Sequence, residues 1–167
     1  GKGTWIDVAL MDVQVSMLAN QALNYLTSGK APERLGNSHP NIVPYQAFAT
    51  ADGHIILAVG NDAQFQRFCQ VAGVPELAAD ERYAINRERV HNRELLIPQI
   101  EQLIQAKPST FWLDGLEREG VPCGPINNIA EVFADPQVQH RGMKMQMAHP
   151  EAGEMNCPVV IMSGHGT

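Results

Sequence analysis

The chain has 167 residues, 44% hydrophobic and 18% charged, with a formal net charge of −6. These values suit one or two globular domains and argue against nonspecific nucleic-acid binding, which needs a basic surface. No apolar run is long enough for a transmembrane helix, and the first seven residues lack the h-region and cleavage site of a signal peptide. The three cysteines, Cys69, Cys123 and Cys157, are widely spaced and form no metal-ligand pair, which predicts reduced thiols in the cytoplasm and no bound metal.

The opening residues Gly1 to Leu10 read as a short strand entering a helix. Asp12 is a plausible N-cap. Val15, Leu18, Ala19, Ala22 and Leu26 then recur at helical spacing, with Gln14, Gln21, Asn24 and Ser28 opposite. The pattern predicts one amphipathic helix of about four turns ended by Gly29. Such a helix needs a partner for its apolar face. Residues 30–44 contain three prolines and no period. They read as a long loop, and loops of this length inside compact domains are uncommon unless functional.

Tyr45–Thr50 and His54–Val59 predict a hairpin around the Asp52-Gly53 turn. The unbroken Ile55-Ile56-Leu57 predicts burial on both faces. Asn61 and Gln64 have capping-box spacing and open a helix whose buried stripe is Phe65, Phe68, Cys69 and Ala72, stopped at Gly73. Arg82, Arg87, Arg89 and Arg93 alternate with Glu81, Glu88 and Glu94. They read as a solvated face laced by ion pairs, with a phosphate-facing patch as the second reading. Leu96, Ile97, Ile100, Leu103 and Ile104 form the next helical stripe, with a kink or break expected at Pro98. Ser109 caps a helix that buries Trp112, Leu113 and Leu116 and stops at Gly120. Val121–Ile126 is extended. Asn128–Phe133 and Pro136–Gln139 are short helical pieces, followed by strands at Met143–His149 and Met155–Met162.

No P-loop, GxGxxG, zinc spacing or GxSxG occurs. Cys69 reads as core. Cys123, between Pro122 and Gly124, reads as structural in preference to a nucleophile. His91, His140 and His149 read as surface. His39 stands in a loop of small polar residues, Gly36-Asn37-Ser38-His39-Pro40-Asn41, a setting in which binding sites are common. The residues alone thus give an α/β domain with one candidate loop.

Several stretches taken together resemble the family III CoA-transferases of the CaiB/BaiF type. They are Gly1-Lys2-Gly3-Thr4-Trp5-Ile6-Asp7-Val8; Gly36 to Phe48 with Asp52-Gly53; Val59-Gly60-Asn61-Asp62-Ala63-Gln64-Phe65; Asn86 with Arg89-Val90 and Asn92-Arg93; Gly120 to Ile126; and Asp135-Pro136-Gln137 with Arg141-Gly142-Met143. They occur in the family's order over nearly the whole chain. The resemblance implies an internal portion of a two-domain enzyme. Residues 1–29 would be a strand and long helix ending the first half of a Rossmann-like large domain. Residues 30–44 would be a linker and active-site loop. Residues 45–143 would be a small α/β (α+β) domain with an antiparallel or mixed sheet flanked by helices, and 144–167 a return linker.

The resemblance also implies an interlocked homodimer, a coenzyme A thioester as substrate, no covalently bound cofactor, and no membrane or nucleic-acid partner. The family's nucleophile is an aspartate that forms an aspartyl-CoA thioester. It precedes the Gly-Lys-Gly segment, so no catalytic residue is expected in this chain and Asp7 and Asp12 are not candidates. The loop Gly36, Asn37, Ser38, His39, Pro40, Asn41 matches a glycine run that closes over the family's active site. Only Gly36 keeps the glycine, and Asn37, Ser38 and His39 are candidate contacts to a dicarboxylic substrate. Leu10 matches a position near coenzyme A. A binding or assembly module without chemistry, and an acyl-CoA racemase of the same fold, are the alternative readings.

Overall fold

The computed structural model describes residues 3–158, which divide into two compact units at Gly124/Pro125. The first unit begins with two short helices, α1 (Leu10–Ser16) and α2 (Ala19–Ser28). Gly3–Ala9 forms no strand, contrary to the sequence expectation. The single long helix is also interrupted. Leu18 N–H donates to the Val15 carbonyl at 3.1 Å, an i−3 bond, and Ala19 takes φ +44°. That left-handed step cannot continue an α-helix. Asp12 is not the N-cap, which is Ala9; it lies in the first turn of α1, where a carboxylate suits the helix dipole. Gly29 ends α2 at φ 71° as expected.

Neither α1 nor α2 buries a residue. The face of α2 that meets the rest of the unit is its polar one. Asn20 and Asn24 reach the loop at residues 39–41, while Leu18, Leu23 and Leu26 stay exposed.

The hairpin forms as expected. β1 (Tyr45–Ala49) and β2 (His54–Ala58) pair antiparallel with Tyr45 opposite Ala58, and β3 (Cys123–Pro125) completes a three-stranded sheet with β2 central. Burial alternates along β2: Ile55 and Leu57 are buried, while Ile56 is 36% exposed. The sheet is therefore covered on one face only. The β1–β2 pair is antiparallel, an arrangement that commonly leaves one face open.

Around the covered face pack α3 (Asp62–Val71), α4 (Pro75–Ala79), α5 (Asn86–His91), α6 (Arg93–Gln105) and α7 (Ser109–Arg118). α6 packs on β1, and α7 packs on β2 and α3. Phe48, Ile55, Leu57, Phe65, Phe68, Leu96, Ile100, Ile104, Trp112 and Leu116 form one core. Phe68 stacks between Phe65 and Trp112 at ring separations of 6.3 and 6.1 Å. Cys69 lies in this core, and burial pushes its thiol up to about 12. Iodoacetamide at pH 8 is expected to leave Cys69 unmodified in the folded protein, as mass spectrometry of labelled peptides would report; rapid native labelling would place it outside the core.

Three local expectations change in detail. Asn61 caps α3 by accepting from Gln64 N–H at 2.9 Å, but the Gln64 amide oxygen turns to Gly60 N–H at 2.7 Å and not to Asn61. Pro98 lies inside α6, which runs unbroken from Arg93 to Gln105. Proline deletes one bond there, the one to the Glu94 carbonyl, in the second turn of the helix. Ser109 is the first residue of α7 and not its cap. The carboxylate of Asp52, from the hairpin turn, accepts from Ser109 N–H at 2.7 Å and Ser109 Oγ at 2.9 Å. A residue distant in sequence thus performs the capping.

Those Ser109 bonds hold the Asp52 carboxyl below its ordinary value. A depressed carboxyl contributes stability that is present above the unfolded aspartate value, about 3.9, and is lost as pH falls through the lower folded value. Asp52→Asn is expected to flatten the acid limb of an unfolding-midpoint profile between about pH 4 and pH 2; an unchanged profile would deny the coupling.

The second unit carries α8 (Ile129–Ala134), α9 (Pro136–His140) and a hairpin of β4 (Lys144–His149) and β5 (Gly153–Pro158). Asn128 and Glu131 form a reciprocal capping box on α8, and Asp135 caps α9. His149 Nδ1 accepts from Glu151 and Ala152 N–H across the hairpin turn. The remainder of the predicted last strand, residues 159–162, lies outside the described residues. The architecture is mixed α/β, with small antiparallel sheets and flanking helices.

Candidate functional site

The loop at residues 36–41 is tied down at every position. Gly36 takes φ 61°, a conformation that only glycine adopts freely, and turns the chain toward β1. Asn37 Oδ1 accepts from Ala47 N–H at 2.9 Å, and Ser38 Oγ donates to Gln46 Oε1 at 2.7 Å. His39 N–H donates to the Tyr45 carbonyl at 2.9 Å, and its ring stacks on Tyr45 at 5.2 Å.

His39 Nδ1 accepts from Asn41 N–H at 3.1 Å, so in the neutral ring the proton is on Nε2. Nε2 lies 3.3 Å from the Asn20 amide nitrogen. Two donors cannot bond, so the contact requires the amide turned with its oxygen toward Nε2–H. Asn41 and Asn24 exchange two side-chain hydrogen bonds at 3.0 and 3.1 Å. This network fixes the loop as a wall with defined side-chain positions.

Beneath the loop run three residues at helical spacing, Asn86, Arg89 and Arg93. Asn86 Oδ1 accepts from Val43 N–H at 3.1 Å, and its Nδ2 donates to the Asn41 carbonyl at 2.8 Å. Arg89 is fully buried. It donates to the Val43 carbonyl at 2.7 Å, to the Tyr83 carbonyl at 2.9 Å and to Asp62 at 2.8 Å, and lies 4.5 Å over the Phe65 ring. Burial pulls its guanidinium down from its ordinary value, and the hydrogen bond it donates to Asp62 opposes that shift. Arg93 Nη2 donates to the His39 and Pro40 carbonyls at 3.3 and 2.8 Å. The arginine-rich stretch is therefore not a uniformly solvated face. Arg82 and Arg87 are the exposed, ion-paired members, and Arg89 and Arg93 face inward. Tertiary hydrogen bonding repays the burial of each guanidinium.

The loop, β1 and α6 enclose a cleft of about 410 Å³. Its apolar walls are Leu35, Ile42, Val43, Ile97 and Pro98; Ser38, His39, Gln46 and Arg93 supply polar groups, with Glu94 and Glu101 also on the lining. A mostly apolar cavity with a few convergent polar groups is the usual form of a small-molecule site.

Of the candidate loop residues, Ser38 and His39 reach this cleft. Asn37 is committed to bracing β1, and Pro40 offers its carbonyl to Arg93. Leu10, at the start of α1, is 86% exposed and does not line the cleft. Asn20, Gln46, Asp62 and Asn86 brace the loop or its supports, contacts that residue patterns did not single out, and by residue pattern Arg93 reads only as one of four arginines. The spacing of residues 86, 89 and 93 was the available signal. Cys123 lies 3.9 Å from the Leu113 carbonyl, and burial raises its thiol, which opposes a thiolate nucleophile. Among the described residues no group of three or more His, Cys, Asp or Glu side chains could hold a metal ion, and no helix is long and apolar enough to cross a membrane.

The sequence model of CoA-transferase family III matches residues 1–167. Succinate–glutarate CoA-transferase of Agrobacterium fabrum is 50% identical over 152 residues, which are 88% of this chain and 37% of that protein. Succinyl-CoA:glutarate CoA-transferase of Homo sapiens is 44% identical over 158 residues, 95% of this chain and 36% of that protein. Acetyl-CoA:oxalate CoA-transferase of Acetobacter aceti is 37% identical over 143 residues, 86% of this chain and 37% of that protein. A solved structure, a CAIB/BAIF family protein from Brucella suis, superposes with a TM-score of 0.71 at 45% identity, covering 92% of this chain and 43% of that one. The chain thus spans just over a third of the length of these curated relatives.

Proposed function

Because the chain belongs to CoA-transferase family III, we propose that it forms the substrate-side wall of an enzyme that moves coenzyme A between dicarboxylic acids. The observation that carries this reading is the cleft between the braced loop and α6, apolar along most of its length and polar where Ser38, His39 and Arg93 converge. The relatives named for succinate and glutarate support the dicarboxylate class.

In the proposed reaction an aspartate outside these residues attacks the thioester carbonyl of the donor acyl-CoA. The CoA thiolate leaves, and a mixed anhydride forms. The thiolate then attacks the aspartyl carbonyl, releasing the donor acid and leaving an aspartyl-CoA thioester. The acceptor carboxylate repeats the sequence in reverse and departs as its CoA thioester. Anhydride and thioester both hydrolyse, so the site must exclude water. A loop fixed by hydrogen bonds at residues 37–41 performs that exclusion as a standing wall.

Residues 1–29 are assigned in this reading to the Rossmann-like large domain, 30–44 to the linker and loop, 45–143 to the small domain and 144–167 to the return linker. The exposed apolar side chains of α1 and α2 support that placement, since such surface calls for cover. Leu10, also exposed, is available to contact coenzyme A. The full-length enzyme is proposed to work as an interlocked homodimer in the cytoplasm.

Assay of the full-length protein with succinyl-CoA and a panel of acids tests the reading. Transfer to glutarate exceeding transfer to monocarboxylates is expected, with no turnover by residues 1–167 alone. Failure to transfer CoA to any acid, or racemisation of a 2-methyl acyl-CoA in its place, would overturn it. His39→Ala is expected to raise KM for dicarboxylates several-fold, because Nε2–H is the loop's free-facing donor once a substrate oxygen displaces Asn20; unchanged kinetics with every acceptor would remove His39 from the site.

A further inference from the structure

We propose that Arg93 binds the distal carboxylate of the dicarboxylic substrate and so selects dicarboxylates over monocarboxylates. The inference rests on the transferase reading above and assigns its specificity to one residue.

Among the described residues, the arginines along residues 82–93 are paired with carboxylates with one exception. Arg82 pairs with Asp80 at 2.6 Å, Arg87 with Glu88 at 2.9 Å and Arg89 with Asp62 at 2.8 Å. Arg93 alone of the four has no carboxylate partner among the described residues. It is half-buried and lines the cleft. Its Nη2 is committed to the His39 and Pro40 carbonyls, and its Nε makes a long 3.4 Å contact to the Val90 carbonyl. Nη1 has no hydrogen-bond partner among the described residues.

A half-buried cation against apolar walls lacks much of its hydration, and an anion that enters restores the interaction. Nη1 keeps two N–H donors for a carboxylate while Nη2 and Nε hold the guanidinium in place. Ser38 and His39 line the same cleft; His39 Nε2–H can donate to the carboxylate once it leaves Asn20, while the Ser38 hydroxyl stays donated to Gln46. Glu94 and Glu101 also line it, but both are exposed and therefore screened by water and salt. They disfavour a carboxylate beside themselves and leave Arg93 as the favourable position. The same guanidinium holds the loop carbonyls, so substrate charge and loop position meet on one side chain. A monocarboxylate offers Arg93 no second charge, and a site built for a charged group discriminates against the analogue that lacks it.

The test uses the full-length enzyme and the variants Arg93→Gln and Arg93→Lys. Arg93→Gln is expected to raise KM for glutarate and succinate by about tenfold to a hundredfold, the range for losing a charge-assisted contact. Transfer to butyrate should fall far less, so that the glutarate-to-butyrate ratio drops by about tenfold or more, and added guanidinium ion should partly restore glutarate transfer. Arg93→Lys should fall between the two. Equal loss of glutarate and butyrate transfer in both variants would overturn the assignment and leave Arg93 as a loop brace. Should Arg93→Gln fail to fold, the glutarate-to-butyrate ratio of Arg93→Lys decides: a ratio equal to wild type overturns the proposal. Wild-type enzyme that transfers CoA to monocarboxylates only would overturn this inference and the dicarboxylate class while leaving CoA transfer itself standing; wild type that transfers CoA to no acid would remove all three.

Discussion

Arg89→Met is expected to destabilise the full-length protein by about 3–4 kcal/mol, the magnitude of removing one member of a buried, hydrogen-bonded ion pair. The side chain has no exposed surface and meets the Val43, Tyr83 and Ala84 carbonyls, Asp62 and the Phe65 ring. Methionine fills similar space but donates nothing. The buried carbonyls then lose their partner, at about 1–3 kcal/mol for each group left unsatisfied. Asp62 stays 45% exposed and rehydrates, which keeps the loss near the lower end of the range. Arg89→Lys keeps the charge but reaches fewer acceptors, and an intermediate loss is expected. Urea unfolding followed by tryptophan fluorescence measures both. A loss under about 1 kcal/mol for Arg89→Met would show that hydrophobic replacement compensates the network, as it does in some buried ion pairs.

Trp112→Ala should be comparably severe, at about 3–5 kcal/mol. Trp112 is 1% exposed, stacks on Phe68 at 6.1 Å and meets Phe111 edge-on at 5.2 Å. Its indole N–H donates to the Ile104 carbonyl at 2.9 Å, at the last turn of α6 where carbonyls lack helical donors. Trp112→Phe separates the two contributions. It retains most of the aromatic packing and removes the donor, so about 1–2 kcal/mol is expected. Equal losses for the two variants would place the stabilisation in the hydrogen bond and not in the packing.

Much of the local structure was legible because its signals lie within a few residues. The Asp52-Gly53 turn sets the hairpin, Asn61 caps α3, the Phe65, Phe68 and Cys69 stripe faces the core, and Gly29 ends α2. Errors arose where a distant residue took over a local role. Asp52 caps α7 from 57 residues away, which no reading of Ser109 and its neighbours can reveal. Ile55-Ile56-Leu57 is apolar throughout, but whether a second layer covers Ile56 is a property of the packing.

The amphipathic pattern of residues 12–28 identified helix but not the face that docks. Asn20 and Asn24 bond to the loop, and the apolar side remains open. The candidate loop was found from its glycine, small polar residues and histidine. The roles of those residues were not, since Asn37 braces β1 while Ser38 and His39 reach the cleft.

The sequence alone determined the family, the hairpin with the helices that follow it, and the position of the loop, because these depend on local periodicity, capping and contiguous motifs; it did not determine the start of the chain, where no strand forms and the helix is broken at Ala19. Only the tertiary structure decided the fate of the arginines. Arg82 and Arg87 find carboxylates one or two residues away, whereas Arg89 meets Val43 from 46 residues away and Arg93 meets Pro40 from 53. A charge's role is set by what lies within a few ångströms of it after folding. Four arginines of one composition therefore become two surface ion pairs, one buried anchor and one cation facing the cleft.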